Sequence, residues 1–198
     1  PALNIGLKQA KGKYIARMDG DDISMPNRFE LQVSFLDENP DIAVVGGAMD
    51  IINERGERTS HRKYATTPFK ARMFALMRSP LAHPTVMMHH RIIDDGFFYD
   101  NEFSKAEDLE LWLRLMNNGY KISNMSNTIL SYRVIGDLST KRTKEHFKFA
   151  YKARKKNFTF RYPIWNVISV LISKFNSILP NKIVSIAYKI ENKQNNNH

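Results

Sequence analysis

Tyr14-Ile15-Ala16-Arg17-Met18-Asp19-Gly20-Asp21-Asp22 is a largely apolar run that ends in three carboxylates. Adjacent carboxylates repel one another and resist desolvation, so packing gives no reason for the cluster. A hard divalent cation with oxygen ligands is the usual remedy. Open α/β sheets place their ligands at the carboxyl ends of strands. The stretch therefore reads as a strand that delivers a metal site, of the kind that most often serves a phosphate-bearing substrate.

Upstream, residues 2–10 read as a helix that stops at Lys11-Gly12-Lys13. Downstream, Ser24 reads as the cap of a second helix, with Pro26 in its first turn. Phe29, Val33 and Leu36 give that helix an apolar stripe, with Phe35 beside it, and Asn39-Pro40 ends it. Residues 42–45 read as a strand, and Gly46-Gly47 as a bulge or a close backbone approach. A polar hairpin turns near residues 53–56. A helix at 68–77 should point Phe69, Met73, Leu76 and Met77 inward. Then come a strand at 85–88, a loop at 100–104, a strong helix at 106–118 and a final strand at 129–134. Strands and helices alternate, which predicts an α/β domain with a mixed, mostly parallel sheet flanked by helices.

The 198 residues suffice for one domain and a short appendage. Cysteine is absent, which excludes disulfides and thiolate metal sites and fits a reducing cytoplasm. The first residue is Pro1 and no charged-then-apolar leader precedes it, so a processed chain or a fragment is expected. The net charge of +10 is unevenly spread. Residues 1–138 hold 17 Lys and Arg against 18 Asp and Glu, whereas 139–163 hold nine against the single Glu145. The expected division is a neutral body, 1–138, and a basic tail, 139–198. Such asymmetry points to an anionic partner for the tail.

Phe147, Ala150, Tyr151, Arg154 and Phe158 share one helical face in that tail, with Lys and Arg around the rest. A Trp165-led apolar segment follows, too short between its charged neighbours to span a bilayer. Either the pair packs on the domain with its cations solvated, or residues 139–190 lie on an anionic membrane surface. Nucleic acid is not expected, because the aromatic residues follow a helical stripe rather than an open stacking platform.

A second acidic group, Glu107-Asp108, falls at the start of the 106–118 helix. One reading is a charge complement to the helix dipole; the other is a general base facing the ligand cleft. His83-Pro84 precedes a strand, and His83 is either a turn residue or an acceptor-side group. Trp112 is either core or a sugar platform, and Arg114 either a solvated cation or a partner to an acid near the site. His89 and His90 are adjacent on a strand and point to opposite faces, which discounts them as a ligand pair.

In this order and spacing the residues resemble the family 2 glycosyltransferases of the GT-A fold. The resemblance is carried by Asn4-Ile5-Gly6-Leu7, Gly12-Lys13-Tyr14, Asp19-Gly20-Asp21-Asp22, Pro26, Arg28, Gln32, Phe35-Leu36, His83-Pro84, Glu107-Asp108, Leu111-Trp112, Arg114 and Tyr132-Arg133, and covers about residues 2–140. It implies inverting transfer of a sugar from a nucleotide-diphosphate sugar to a saccharide or lipid-linked acceptor. Asp19 and Asp21 match the D-x-D that binds Mn²⁺ or Mg²⁺ and the donor, and Asp22 a frequent extra acid. Asp108 matches the base, Glu107 its neighbour, and His83 the acceptor side. The family further implies work at the inner face of a bacterial membrane, in surface polysaccharide or lipopolysaccharide synthesis.

Two departures stand out. Where many relatives have a His two residues after Tyr-Arg, this chain has Ile135, with Asp137 as a substitute only if the loop shifts. The family's amino-terminal nucleotide-binding unit has no counterpart before residue 2, so a truncated GT-A sheet of low activity is expected. The competing reading is a non-catalytic remnant that binds a membrane or a partner through its basic tail.

Overall fold

The computed structural model describes residues 2–136, 144–160 and 163–179. The first half contains α1 (Ala2–Gln9), β1 (Tyr14–Ala16), β2 (Ile23–Ser24), α2 (Arg28–Glu38), β3 (Ile42–Ile52), β4 (Arg58–Arg62) and α3 (Pro68–Ala75). A 3-10 turn (His83–Thr85), β5 (Met87–His89), α4 (Arg91–Asp94), α5 (Glu107–Asn117), β6 (Lys121–Arg133), α6 (Lys144–Lys156) and α7 (Pro163–Ile178) complete it.

β3 is the spine of the sheet and is buried along almost all of its length. Successive strand side chains point to opposite faces, so its residues alternate between two cores. Val44 joins Met88, Leu111 and Trp112 beneath α3 and α5. Val45 joins Met87, Ile129 and Leu36, the last from α2 on the other face. The result is the expected mixed α/β architecture, a sheet flanked by helices.

The strand directions correct the expectation of a mostly parallel sheet. The order is β1-β5-β3-β6-β2, with β4 beside β3. Among the described residues β3 and β6 run parallel, and the other pairings are antiparallel. A parallel pair needs a long crossover, and the β3-to-β6 connection runs through α3 and α5. β4 instead follows β3 through a hairpin. There the Asn53 side chain accepts from the backbone N–H groups of Arg55 and Glu57, and Gly56 takes a positive φ of 82°. The strand at 14–18 also ends earlier than expected, at Ala16.

Several helix faces differ from their apolar periodicity. Ser24 lies in β2 and does not cap α2, whose amino end is Asn27. The buried face of α2 is Arg28, Gln32 and Leu36, while Phe29 is exposed. Arg28 donates to the Arg17 carbonyl at 2.8 Å and to Gln32 Oε1 at 2.9 Å; Gln32 donates to the carbonyls of Thr85 and Val45 at 2.8 and 3.2 Å. A buried polar group is tolerated when it is bonded in this way, and here the bonds tie the end of β1 and the start of β5 to the body of β3. In α3 the inward residues are Ala71 and Ala75, and Phe69 and Met77 face solvent. Small residues let α3 approach the sheet closely.

α6 packs on α5 through Ala150, which meets Ala106 and Leu109. Of the expected inner face of α6, Ala150 and Arg154 are buried, together with Ala153. α7 lies against α6 with its amphipathy inverted: Ser169, Ser173 and Ser177 point inward, whereas Ile164, Leu171, Phe175 and Ile178 are exposed. No helix among the described residues is long and apolar enough to cross a membrane.

Candidate active site

The acidic loop hangs from the end of β1. The Arg17 N–H donates to the Val86 carbonyl at 3.0 Å, extending the β1–β5 pairing by one residue and aiming the loop at the sheet's edge. Arg17 then grips Asp19 with both arms, Nη1 to Oδ2 at 2.9 Å and Nη2 to Oδ1 at 2.6 Å. Such bidentate pairs fix orientation as well as charge. From the other side Arg133 stitches the loop to the β3–β4 hairpin, donating to the carbonyls of Asp21, Asn53 and Glu54 at 3.0–3.1 Å.

The three acids are placed differently. Asp19 lines a cleft of about 600 Å³. Asp21 is exposed beside it. Asp22 is buried and accepts from the Arg133 N–H at 2.9 Å, while its Oδ2 has no partner among the described residues. Burial pushes the Asp22 carboxyl up to about 6, and the charges of Asp19 and Asp21 push in the same direction. Asp22 supports the loop from within and, like Asp21, is not among the residues that line the cleft.

Across the cleft stand Glu107 and Asp108. Ala106 precedes them with a φ of 56°, in the left-handed region that an alanine rarely enters. That turn sets the start of α5 so that its first two carboxylates reach the cleft wall. Asp108 Oδ2 lies 3.0 Å from Ser79 Oγ. Burial raises the Glu107 carboxyl above the usual carboxylate range, and the neighbouring Asp108 charge adds to the shift. His83 lines the same wall, 2.8 Å from the Tyr99 hydroxyl and 3.9 Å from Glu107. Burial lowers the His83 imidazole to about 4 and leaves it neutral at pH 7.

Two expected site residues lie elsewhere. Trp112 is fully buried among Leu111, Leu115 and Val44 and has no face for a sugar. Arg114 pairs with the buried Glu110 at 2.9 and 3.0 Å and donates to the Phe98 carbonyl at 2.6 Å, so it clamps α5 to the preceding loop. Asp137 lies outside the described residues.

Arg17 and Ser79 join the site without having been expected there, and Arg154, expected on the inner face of the tail helix, shapes it from behind. Arg17 orients Asp19; a cation inside an otherwise apolar strand was the available signal. Ser79 touches Asp108, and nothing in its sequence context marks it. Arg154 is buried and donates to the carbonyls of Ala75 and Leu76 at 3.0 and 3.2 Å, which caps the carboxyl end of α3. Through it α6 and α7 become a wall of the cleft.

The fit of a metal rests on the donor set. Asp19 and Asp21 offer only oxygen, which suits Mg²⁺ or Mn²⁺. Among the described residues no group of three acidic, His or Cys side chains could hold an ion alone. One or two carboxylates completed by substrate phosphates are the usual Mg²⁺ arrangement, and the residues fit that pattern.

Residues 1–97 match the model of glycosyl transferase family 2. The chain is 28% identical to the amylovoran biosynthesis glycosyltransferase AmsE of Erwinia amylovora, over 97% of its own length and 73% of that protein's. It is 34% identical to the O-antigen biosynthesis glycosyltransferase WbnJ of Escherichia coli, over 86% of its own length and 66% of that protein's. The solved mannosyltransferase PcManGT of Pyrobaculum calidifontis, in complex with GDP-Man and Mn²⁺, superposes with a TM-score of 0.57 at 11% identity. That superposition covers 96% of this chain and 54% of PcManGT, so the chain spans about half the length of the solved structure. The fold is that of the GT-A glycosyltransferases, and the chain belongs to glycosyltransferase family 2.

Proposed function

We propose that the chain transfers a sugar from a nucleotide-diphosphate sugar to an acceptor hydroxyl, with inversion at the anomeric carbon. The observation that carries this reading is the single cleft in which Asp19, at the end of β1, faces Glu107 and Asp108, at the start of α5. In this reading Asp108 takes the proton of the acceptor hydroxyl. The oxygen bonds to the anomeric carbon from one face as the bond to the diphosphate breaks on the other. The electron pair of that bond leaves with the nucleotide diphosphate, and one displacement inverts the centre. Asp21, with Asp19, would hold a divalent ion, which supplies charge neutralisation for the departing diphosphate. Arg17 keeps Asp19 in place, and Glu107 stands beside the base in the same wall.

The names of AmsE and WbnJ support a role in bacterial surface polysaccharide synthesis. The neutral body, 1–138, carries the carboxylates in this proposal. The basic tail, 139–198, adds a wall of the cleft and a face for an anionic membrane. The outward apolar residues of α7 and the nine cations of 139–163 favour the inner surface of the cell membrane as the working place. There the donor is soluble and a lipid-linked acceptor is at hand.

The test is an assay with Mn²⁺ and a panel of UDP- and GDP-hexoses, read as sugar transfer by mass spectrometry and as anomeric configuration by NMR. Transfer with inversion that depends on Asp108 and Asp21 is expected. A product with retained configuration would overturn the single-displacement mechanism.

A further inference from the structure

His83 stands at the end of a chain of contacts that begins in α1. The Asn4 carboxamide meets both backbone groups of Tyr99, in the segment between α4 and α5. Its Nδ2 donates to the Tyr99 carbonyl at 2.8 Å, and the Tyr99 N–H donates to its Oδ1 at 2.9 Å. Two bonds to one residue fix Tyr99 in place. Tyr99 is buried, and its hydroxyl lies 2.8 Å from Nε2 of His83. The rings of Tyr99 and Trp112 flank the imidazole, with centroids 5.4 and 6.3 Å away, and limit its rotation.

The hydrogens follow from this arrangement. A buried phenol that donates to nothing is destabilising. Among the described residues, His83 Nε2 is the acceptor at hydrogen-bond distance from the Tyr99 hydroxyl. Burial raises the Tyr99 hydroxyl above its ordinary value, so it keeps its hydrogen, while the imidazole is neutral at pH 7. A neutral imidazole that accepts at Nε2 carries its own hydrogen on Nδ1. His83 Nδ1 lies 3.9 Å from Glu107 Oε1, too far for a direct hydrogen bond. The opposite tautomer would strand the phenol hydrogen and turn a bare nitrogen toward that carboxyl oxygen.

We propose that Tyr99, held by Asn4, is a positioning residue: it fixes His83 as the Nδ1–H tautomer and so gives the wall beside Asp108 a neutral donor for a sugar oxygen. The inference rests on the glycosyltransferase reading and deepens it. Ionised Asp19 and Asp108, in the same cleft, only accept hydrogen bonds. A sugar hydroxyl both donates and accepts, so it can give its hydrogen to a carboxylate and take one from His83. A neutral donor does this without the positive charge that would weaken Asp108 as a base.

Proton–nitrogen NMR on protein with isotope-labelled histidine reads the tautomer directly, and the His83→Gln spectrum identifies the His83 signals. At pH 7 the parent should show Nδ1 protonated and Nε2 bare. Tyr99→Phe removes only the hydroxyl, and a substantial share of the Nε2–H form should then appear. Asn4→Ala, which frees the Tyr99 backbone, should shift the tautomer in the same direction. Sugar transfer by Tyr99→Phe should fall about tenfold in kcat/KM, as for the loss of one hydrogen bond. An Nε2–H signal in the parent overturns the inference, and that measurement needs no variant to fold. An unchanged tautomer in Tyr99→Phe overturns it too, as does parent-like transfer by a Tyr99→Phe protein whose tautomer has changed. If the parent transfers no sugar, the transferase reading falls, and the spectra still decide what Tyr99 does to His83.

Discussion

Ser79 Oγ lies 3.0 Å from Oδ2 of Asp108 and 3.1 Å from the carbonyl of Leu81. One hydroxyl hydrogen serves both acceptors, so Ser79 steadies the carboxylate without saturating it, and the other Asp108 oxygen is left to receive a proton. Asp108→Asn should lower the turnover of sugar transfer by about 100- to 10,000-fold, because an amide cannot act as the base. Its melting temperature should stay near that of the parent, since the amide oxygen still accepts from Ser79. Ser79→Ala should cost turnover less, on the order of tenfold, corresponding to one modest hydrogen bond. Near-normal turnover in Asp108→Asn would remove Asp108 from the mechanism.

His83 gives a pH dependence with a definite sign. Its folded value of about 4 lies below the ordinary 6.5. Between those values the unfolded chain binds a proton that the folded protein refuses. Stability from this group is therefore complete above pH 6.5 and is lost as pH falls through 4. Asp22, raised to about 6, acts in the opposite sense over the lower part of that window. The measurable quantity is thus a difference. The melting temperature of His83→Gln should fall less steeply than the parent's between pH 6.5 and 4, with EDTA present in both. Identical slopes would place the imidazole in a wetter setting than the structure gives it.

Gly46 is a point of close approach. A Cβ there would overlap Asn124 Oδ1 and come within 3.1 Å of Thr85 Oγ1 and 3.2 Å of Leu81 Cδ2. Asn124 has little room to yield, because its amide donates to the carbonyls of Ala65 and Pro80 at 2.8 and 3.1 Å. Gly46→Ala should destabilise the fold by about 1–3 kcal/mol. Denaturant unfolding measures it, and a change below a few tenths would show that the segment around Pro80 moves freely.

The outward face of α7 predicts membrane binding without a stability cost. Trp165, Leu171 and Phe175 are exposed, so changing all three to Ser removes no core contact. Sedimentation with vesicles containing anionic lipid should fall by an order of magnitude or more, given the apolar area removed from the lipid boundary. Melting should change little. Undiminished sedimentation would move the membrane contact to another face.

Much of this was legible from particular residues. The apolar run at 14–18 and its acids marked the strand and the cleft. Glu107-Asp108 marked the helix start that faces them, and Gly46-Gly47 the crowded crossing of β3. Strand direction was not legible, because an apolar run at 42–45 reads the same beside parallel or antiparallel neighbours. Long connections separate most of the paired strands, so neither the run nor the spacing between elements reveals its direction. The inner face of α2 was misread for another reason. Periodicity counts apolar residues, whereas Arg28 and Gln32 are buried by carbonyls of strands distant in sequence. Trp112 and Arg114 fell beside the acids in sequence, but the α5 helix turns them to the core and to Glu110.

Arg154 joins α6 to the last carbonyls of α3, and α3 leads directly into the segment that carries Arg78 and Ser79. Its charge is buried and is answered by peptide oxygens of a different helix. The lock is a side chain and the keyhole is main chain, so the keyhole is present whatever residues α3 carries. A chimaera that grafts a relative's tail onto this body should keep the closure where that tail has an arginine in place of Arg154, and should lose it where the arginine is missing.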